Sequence, residues 1–200
     1  FLFTVKDYFL AHDVRLDADI NYCIQCPQNI DGELEEFHTL LIDLKLPEEL
    51  IWNAIYPRAQ TEISSFLTNQ DFEHKILFNL PPAQLKEFAK LYNHFAGHKK
   101  IRPAEFYRLN AYNAHGILAI SYIKQLNEFI CINFYRITQQ RSTNLYSFHR
   151  KHELPHFFSG SHFGRAHRAL HWLDIKAFKS AGVEFYDFCG WYPGTENTDL

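Results

Sequence analysis

The chain has no surplus of positive charge, no apolar run of membrane-spanning length, no internal repeat, no low-complexity tract and no methionine. Each absence narrows the field. Twenty Lys and Arg against 23 Asp and Glu leave a net charge of -3 with His neutral, whereas a nucleic-acid-binding module is expected to be basic. Without about 20 consecutive apolar residues there is no candidate membrane helix, and the opening residues do not read as a secretory signal. Neither a G-x-S-x-G elbow nor a Walker A loop occurs, so those hydrolase and nucleotide-hydrolase classes fall away. Cysteine is scarce: Cys23, Cys26, Cys131 and Cys189. Two of the four sit in apolar strand-like runs, which predicts buried, reduced thiols and a cytoplasmic protein. Cys23-Ile-Gln-Cys26 is a lone C-x-x-C with no second pair; on an extended segment its thiols face opposite ways, and it reads as structural.

What is present suits a folded α/β domain. The chain is 46% hydrophobic and 22% charged, enough to bury a core. Its 19 Phe and 11 Tyr fill cores and wall pockets. A strand is predicted near Ile20–Gln25 and another over Glu36–Leu44. Pro47 opens a helical region interrupted at Pro57. Residues 72–78 read as a strand. Pro81-Pro82 starts a helix whose Leu85, Phe88, Ala89, Tyr92 and Phe95 recur at helical spacing, with Gly97 as its stop. Pro103 starts a second helix, through Tyr112. Gly116–Gln125 and Glu128–Gln139 are strands apolar on both faces, hence central, joined by the tight link Leu126-Asn127. A strand over Thr143–His149, a loop, a helix over 164–181 capped by Gly182, and a strand over Val183–Trp191 complete the order.

The most informative stretch is the strand, loop, helix and strand from Tyr146 to Trp191. Its loop runs into the helix through Ser161-His162-Phe163-Gly164-Arg165-Ala166. Glycine allows close backbone approach, and a helix start offers free N–H groups and a positive dipole end to an anion. Arg165 and Arg168 add fixed charge. The plain alternative is an ordinary turn with surface arginines. Asp187 shares a strand face with Val183, Phe185, Cys189 and Trp191; a carboxylate against an apolar wall is a candidate general base, or else it fixes the strand end by accepting backbone N–H bonds. His149 shares a face with Ser147 and is a second acid or base candidate. His167, His171 and Asp174 follow H-x-x-x-H-x-x-D on one helix face. They form either a metal arrangement or polar residues supporting a site, and no metal is expected.

The β-α-α-β-β-β-α-β order from residue 72 resembles the GNAT acyltransferase fold up to its fifth strand. The six residues from Ser161 to Ala166 resemble the pyrophosphate-binding signature Q/R-x-x-G-x-G/A of that family, with Ser161 in place of its leading Gln or Arg. GRAHRALHWLDIKAFKSAGVEFYDFCGW and TLLIDLKLPEELIWNAIYPRAQTEI resemble the branch near the Fem-type peptidoglycan bridge ligases and their single-domain FemAB-like relatives, although the basic tract of that branch keeps only Arg58. The resemblance covers roughly residues 37–192. It implies a mixed α/β sheet, with residues 1–71 as an N-terminal extension packed on a GNAT-like domain over 72–200. That domain would lack the family's last helix and strands. The strand over 183–191 would then lie at an edge, covered by the extension or by a second copy in a homodimer.

The resemblance also implies an activity: transfer of an acyl or aminoacyl group from an activated carrier to an amine. Acyl-CoA is the expected donor, and a charged tRNA is a donor by resemblance only. The acceptor would be a small molecule or a cell-envelope precursor. On this reading Ser161, Gly164, Arg165, Ala166 and Arg168 bind the donor phosphates. Asp187 and then His149 serve as base, and Tyr135, Tyr146 and Trp191 wall the acceptor pocket. A GNAT-like domain that binds without catalysing is the alternative.

Overall fold

The computed structural model describes residues 5–9, 20–24, 38–69, 71–154 and 156–190, with the backbone alone for 5–9, 20–24 and 69. The chain divides into two units. In the first, β1 (Val5–Phe9) and β2 (Ile20–Ile24) pair in parallel, from Val5 opposite Ile20 to Phe9 opposite Ile24. Cys26 and Trp191 lie outside the described residues.

The second unit runs from Thr39 to Cys189. The sequence reading divides the chain at residues 71 and 72; the compact unit instead begins more than thirty residues earlier. Its elements are β3 (Thr39–Asp43), α1 (Glu48–Asn53), α2 (Pro57–Asn69), β4 (Glu73–Phe78), α3 (Pro82–Lys99), α4 (Phe106–Ala114), β5 (Leu118–Gln125), β6 (Glu128–Ile137), β7 (Arg141–His149), α5 (Gly160–Ser180) and β8 (Phe185–Gly190). The sheet order is β3-β8-β7-β6-β5-β4. Strands β4 to β7 pair antiparallel. β7 and β8 pair in parallel, which requires a crossover connection, and α5 provides it.

Local chemistry explains most element ends. Pro81 caps α3 and Pro82 occupies its first position, where the missing N–H costs nothing. Leu126 and Asn127 both take positive φ, the backbone of a type I′ hairpin turn between β5 and β6. Gly182, at φ +82, follows the end of α5, and Val183 N–H closes back on Phe178 O at 3.0 Å, as in a Schellman cap. The helix predicted to stop at Gly97 runs on to Lys99, and Lys100 takes the left-handed conformation. Its N–H bonds Gly97 O and that of Ile101 bonds Ala96 O, so hydrogen bonds hold the turn without glycine. Pro103 precedes α4 instead of opening it.

The edge expected at β8 is internal. β3 lies beyond β8: Leu44 N–H donates to Glu184 O at 2.7 Å, and Thr39 Oγ1 reaches Cys189 O at 3.1 Å. The cover comes from residues placed by the sequence reading in the extension.

Helices cover both faces. α1, α2 and α5 enclose one core with Ala119, Ile123, Cys131, Tyr135 and Tyr186 of the sheet. α3 and α4 enclose the other with Leu118, Ile120, Ile132, Phe134 and Phe148. Each fully buried large apolar side chain contributes about 1.5–3 kcal/mol. Among the described residues no helix is long and apolar enough to cross a membrane.

Candidate functional site

The strands read as apolar on both faces each carry a fully buried polar residue near the middle, Ser121 and Asn133, and the register aligns them. Ser121 lies opposite Asn133, and Asn133 opposite Ser147. The three form a polar row across β5, β6 and β7, beneath α5. From α5, His167, His171 and Asp174 descend onto it; spacings of four and three residues place them on one helix face.

Asp174 is completely buried. A carboxylate there is tolerable only if hydrogen bonds replace water. Its Oδ2 accepts from Ser121 Oγ at 2.6 Å, Tyr135 OH at 2.7 Å and Asn133 Nδ2 at 3.2 Å, and its Oδ1 meets His74 Nε2 at 3.0 Å. Tyr135 OH is 2.6 Å from Tyr186 OH, and Tyr186 OH is 2.6 Å from His171 Nδ1. Ser147 Oγ donates to Asn133 Oδ1 at 2.7 Å and lies 2.7 Å from His167 Nε2 and 3.3 Å from His171 Nε2. Burial, and then the Asp174 charge, push both tyrosine hydroxyls well above their ordinary range. Burial holds His167 well below the usual imidazole value and lowers His171 to about 4, against the opposing pull of Asp174. Burial also lowers His149. All three rings are neutral at physiological pH.

This cluster sits where the sheet opens. β7 and β8 pair only from Arg141 opposite Phe185 to Thr143 opposite Asp187, although β7 continues to His149 and β8 to Gly190. His171 spans the gap, with one ring nitrogen toward Ser147 on β7 and the other toward Tyr186 on β8. A row of rings follows it: His149 to His167 at 5.9 Å, His167 to His171 at 4.9 Å, and His171 to Phe188 at 5.2 Å. His149 Nδ1 is buried with no hydrogen-bond partner.

The start of α5 lies one turn earlier than the predicted 164, with Ser159 as N-cap. His162 N–H already bonds Ser159 O at 3.0 Å, so the groups without an intrahelical acceptor are those of Gly160 and Ser161. Lys151 joins them: its Nζ stands 3.1 Å from where a Cβ on Gly160 would be. Arg165 folds back on Ser161, with Nη2 3.3 Å from its Oγ. Gly164 and Ala166 are inside the helix, and Ala166 is fully buried in the core. Arg168 pairs with Glu62 at 2.8 Å, on the α2 side. The predicted donor residues therefore split. Ser161 and Arg165 stay at the helix start with Gly160 and Lys151, which the sequence reading did not name, while Ala166 and Arg168 point elsewhere.

Asp187 is fully buried. It accepts from Thr39 Oγ1, from Cys189 N–H at 2.7 Å and from Arg141 Nη1 at 3.2 Å. This is the strand-fixing arrangement considered for it, with an ion pair added. Tyr135 and Tyr146 do not share a pocket. Tyr135 belongs to the buried network, whereas Tyr146 packs on the opposite core, 4.5 Å from Tyr92. His74, Ser121, Asn133 and Tyr186 are the residues missed. Isolated polar positions inside apolar strands were the available signal. Among the described residues no three His, Cys, Asp or Glu side chains are placed to hold a metal ion.

No protein-family model matches the chain, and no curated protein matches it. Solved structures do. The crystal structure of FemX superposes with a TM-score of 0.62 at 11% identity, over 80% of this chain and 55% of that one. A conserved protein of unknown function from Bacteroides thetaiotaomicron gives 0.54 at 9% identity, over 77% and 50%. The C-terminal domain of an Agrobacterium fabrum protein named as a lysylphosphatidylglycerol synthetase gives 0.53 at 8% identity, over 77% and 46%. The chain spans about half the length of these structures. Likeness at such identities defines the fold, and the fold is GNAT-like.

Proposed function

We propose that this chain is an acyltransferase domain that moves an acyl or aminoacyl group from an activated carrier, in the first instance acyl-CoA, to an amine. The observation that carries the reading is the parting of β7 and β8 beyond Thr143 and Asp187, with the start of α5 and its free N–H groups reached from the end of β7 through residues 150–159. A long, narrow donor fits such an opening, its phosphates at one end and its carbonyl among the side chains of the gap. Gly160 and Ser161 N–H, the dipole end of α5, Lys151 and Arg165 would hold the phosphates. The acceptor would be a small molecule or a cell-envelope precursor.

In this reading the protein contributes position and proton handling. Three neutral imidazoles line the gap. The Asp187 carboxylate is engaged by three donors, so the proton-accepting role falls to the histidine row, which includes His149. Calorimetric titration with CoA and acetyl-CoA tests the donor. Binding should weaken about tenfold in Lys151→Ala, through loss of a charge-assisted contact. A wild type that binds neither ligand at millimolar concentration defeats the acyl-CoA reading.

A further inference from the structure

The hydrogen positions in the Asp174 chain can be counted. A carboxylate only accepts, so Tyr135 must donate its single hydroxyl hydrogen to Asp174, 2.7 Å away. Tyr135 then has none left for Tyr186. The 2.6 Å contact between the two hydroxyls therefore uses the Tyr186 hydrogen. Tyr186 in turn has none left for His171, and its 2.6 Å contact with Nδ1 must be a bond donated by Nδ1–H. A neutral imidazole carries one hydrogen, which leaves Nε2 bare. That nitrogen points at Ser147 Oγ, 3.3 Å away.

The neighbouring ring resolves the other way. Asn133 Nδ2 is committed to Tyr135 and Asp174, so Asn133 Oδ1 faces Ser147 and His167 as an acceptor. His167 Nε2 lies 3.1 Å from that oxygen and 2.7 Å from Ser147 Oγ. A bare Nε2 would set lone pair against lone pair at Asn133. His167 therefore bears hydrogen on Nε2. Two adjacent histidines of opposite tautomer flank the same hydroxyl: Ser147 Oγ accepts from His167 Nε2–H while its own hydrogen goes to Asn133 Oδ1, so the lone pair of His171 Nε2 is left without a donor.

We propose that His171 is the general base of this site: Asp174, acting through Tyr135 and Tyr186, fixes hydrogen on Nδ1, so that bare Nε2 takes a proton from the acceptor amine. The assignment rests on the acyl-transfer reading for the identity of the proton donor. The amine nitrogen bonds to the carbonyl carbon as the bond from carbon to the carrier sulfur breaks. The proton lost by the amine passes to Nε2 and then to the departing thiolate, leaving His171 neutral for the next turnover. Tyr135, Tyr186 and Asp174 are positioning residues: they touch no substrate and set the tautomer. Placing hydrogen-bond acceptors behind one ring nitrogen is a general way to fix which nitrogen acts.

Nitrogen NMR of the labelled full chain at neutral pH tests the assignment without a substrate, with His171→Gln identifying the resonances. His171 should show a protonated Nδ1 and an unprotonated Nε2, and His167 a protonated Nε2. A His171 protonated at Nε2, or at both nitrogens, overturns the proposal. Tyr186→Phe removes the acceptor behind Nδ1 and should give a tautomer mixture while keeping the fold, checked by circular dichroism. An unchanged tautomer overturns the positioning chain. For the base role, aminolysis of p-nitrophenyl acetate by ethanolamine should be catalysed by wild type and fall on the order of 10²-fold in His171→Gln. Equal rates, or no wild-type rate above buffer, overturn it. If the tautomers are as assigned and aminolysis is catalysed but CoA does not bind, the base stands and the acyl-CoA donor is wrong.

Discussion

The two faces of this one sheet are built from the same strands by opposite rules. Toward α3 and α4, Leu118, Ile120, Ile132, Phe134 and Phe148 make an apolar layer with Tyr92, Phe88 and Leu85. Toward α5, the strands place Ser121, Asn133 and Ser147 in a row, and the helix answers with His167, His171 and Asp174. An apolar layer needs only volume and shape, and tolerates exchange. A buried polar layer stabilises only when every member is paired, and one missing partner turns it into a penalty. Fully paired, such a layer fixes one arrangement of helix on sheet. Its position at the opening between β7 and β8 is what the proposed chemistry rests on.

The sharpest way to break the contrast is Asp174→Leu. It leaves the hydrogens of Ser121 and Tyr135 buried without the carboxylate that accepts them, and should cost at least about 2 kcal/mol in urea unfolding, at 1–3 kcal/mol per orphaned group. The matched change on the other face, Ile132→Leu, keeps volume and should cost less than about 1.5 kcal/mol. Equal costs would mean that the polar layer is not special.

Acid offers a milder probe. The folded-state pKa of His171 is depressed from 6.5 to about 4, so the unfolded chain binds more protons between these values. Stability is then fully present above about pH 6.5 and falls as pH drops toward 4, by at most about 3 kcal/mol from this ring. His149 and His167 act in the same direction. His171→Gln should flatten that part of the curve in unfolding measured against pH; an unaltered slope would place the pH dependence elsewhere.

Two surface changes separate the helix start from the rest of α5. Arg168→Ala removes an exposed pair with Glu62 worth about 0.2–1 kcal/mol, and should leave CoA affinity unchanged. Gly164→Ala should raise stability by up to about 1 kcal/mol. Its backbone is helical, and the added Cβ meets only the mobile end of Arg168 at 3.1 Å. A loss of CoA binding in either variant would return the donor site to the residues first suspected.

Much of the fold was legible because periodicity, proline and glycine act locally. β4, α3, the β5–β6 hairpin and the Gly182 cap follow from neighbours in sequence. The start of α5 was misplaced by one turn because Gly164 resembles a motif glycine, whereas the helix is entered at Ser159 with extended backbone. The site was legible only in fragments. His149, His167, His171 and Asp174 were noticed, but Asp187 drew the eye as a carboxylate on an otherwise apolar strand face. Its partners Thr39 and Arg141 lie 148 and 46 residues away, and nothing nearby in sequence announces them.

The sequence by itself determined the strand and helix content, the crossover from β7 through α5 to β8, and the presence of a polar stripe on α5. These depend on side-chain period and on short-range backbone chemistry. The tertiary structure alone decided that β3 covers β8, that Ser121, Asn133 and Ser147 align, and that Asp174 reaches His171 through two tyrosines. Strand register and long-range pairing join residues up to 150 positions apart. Such partners are chosen by the packing of the whole sheet, which no local pattern encodes.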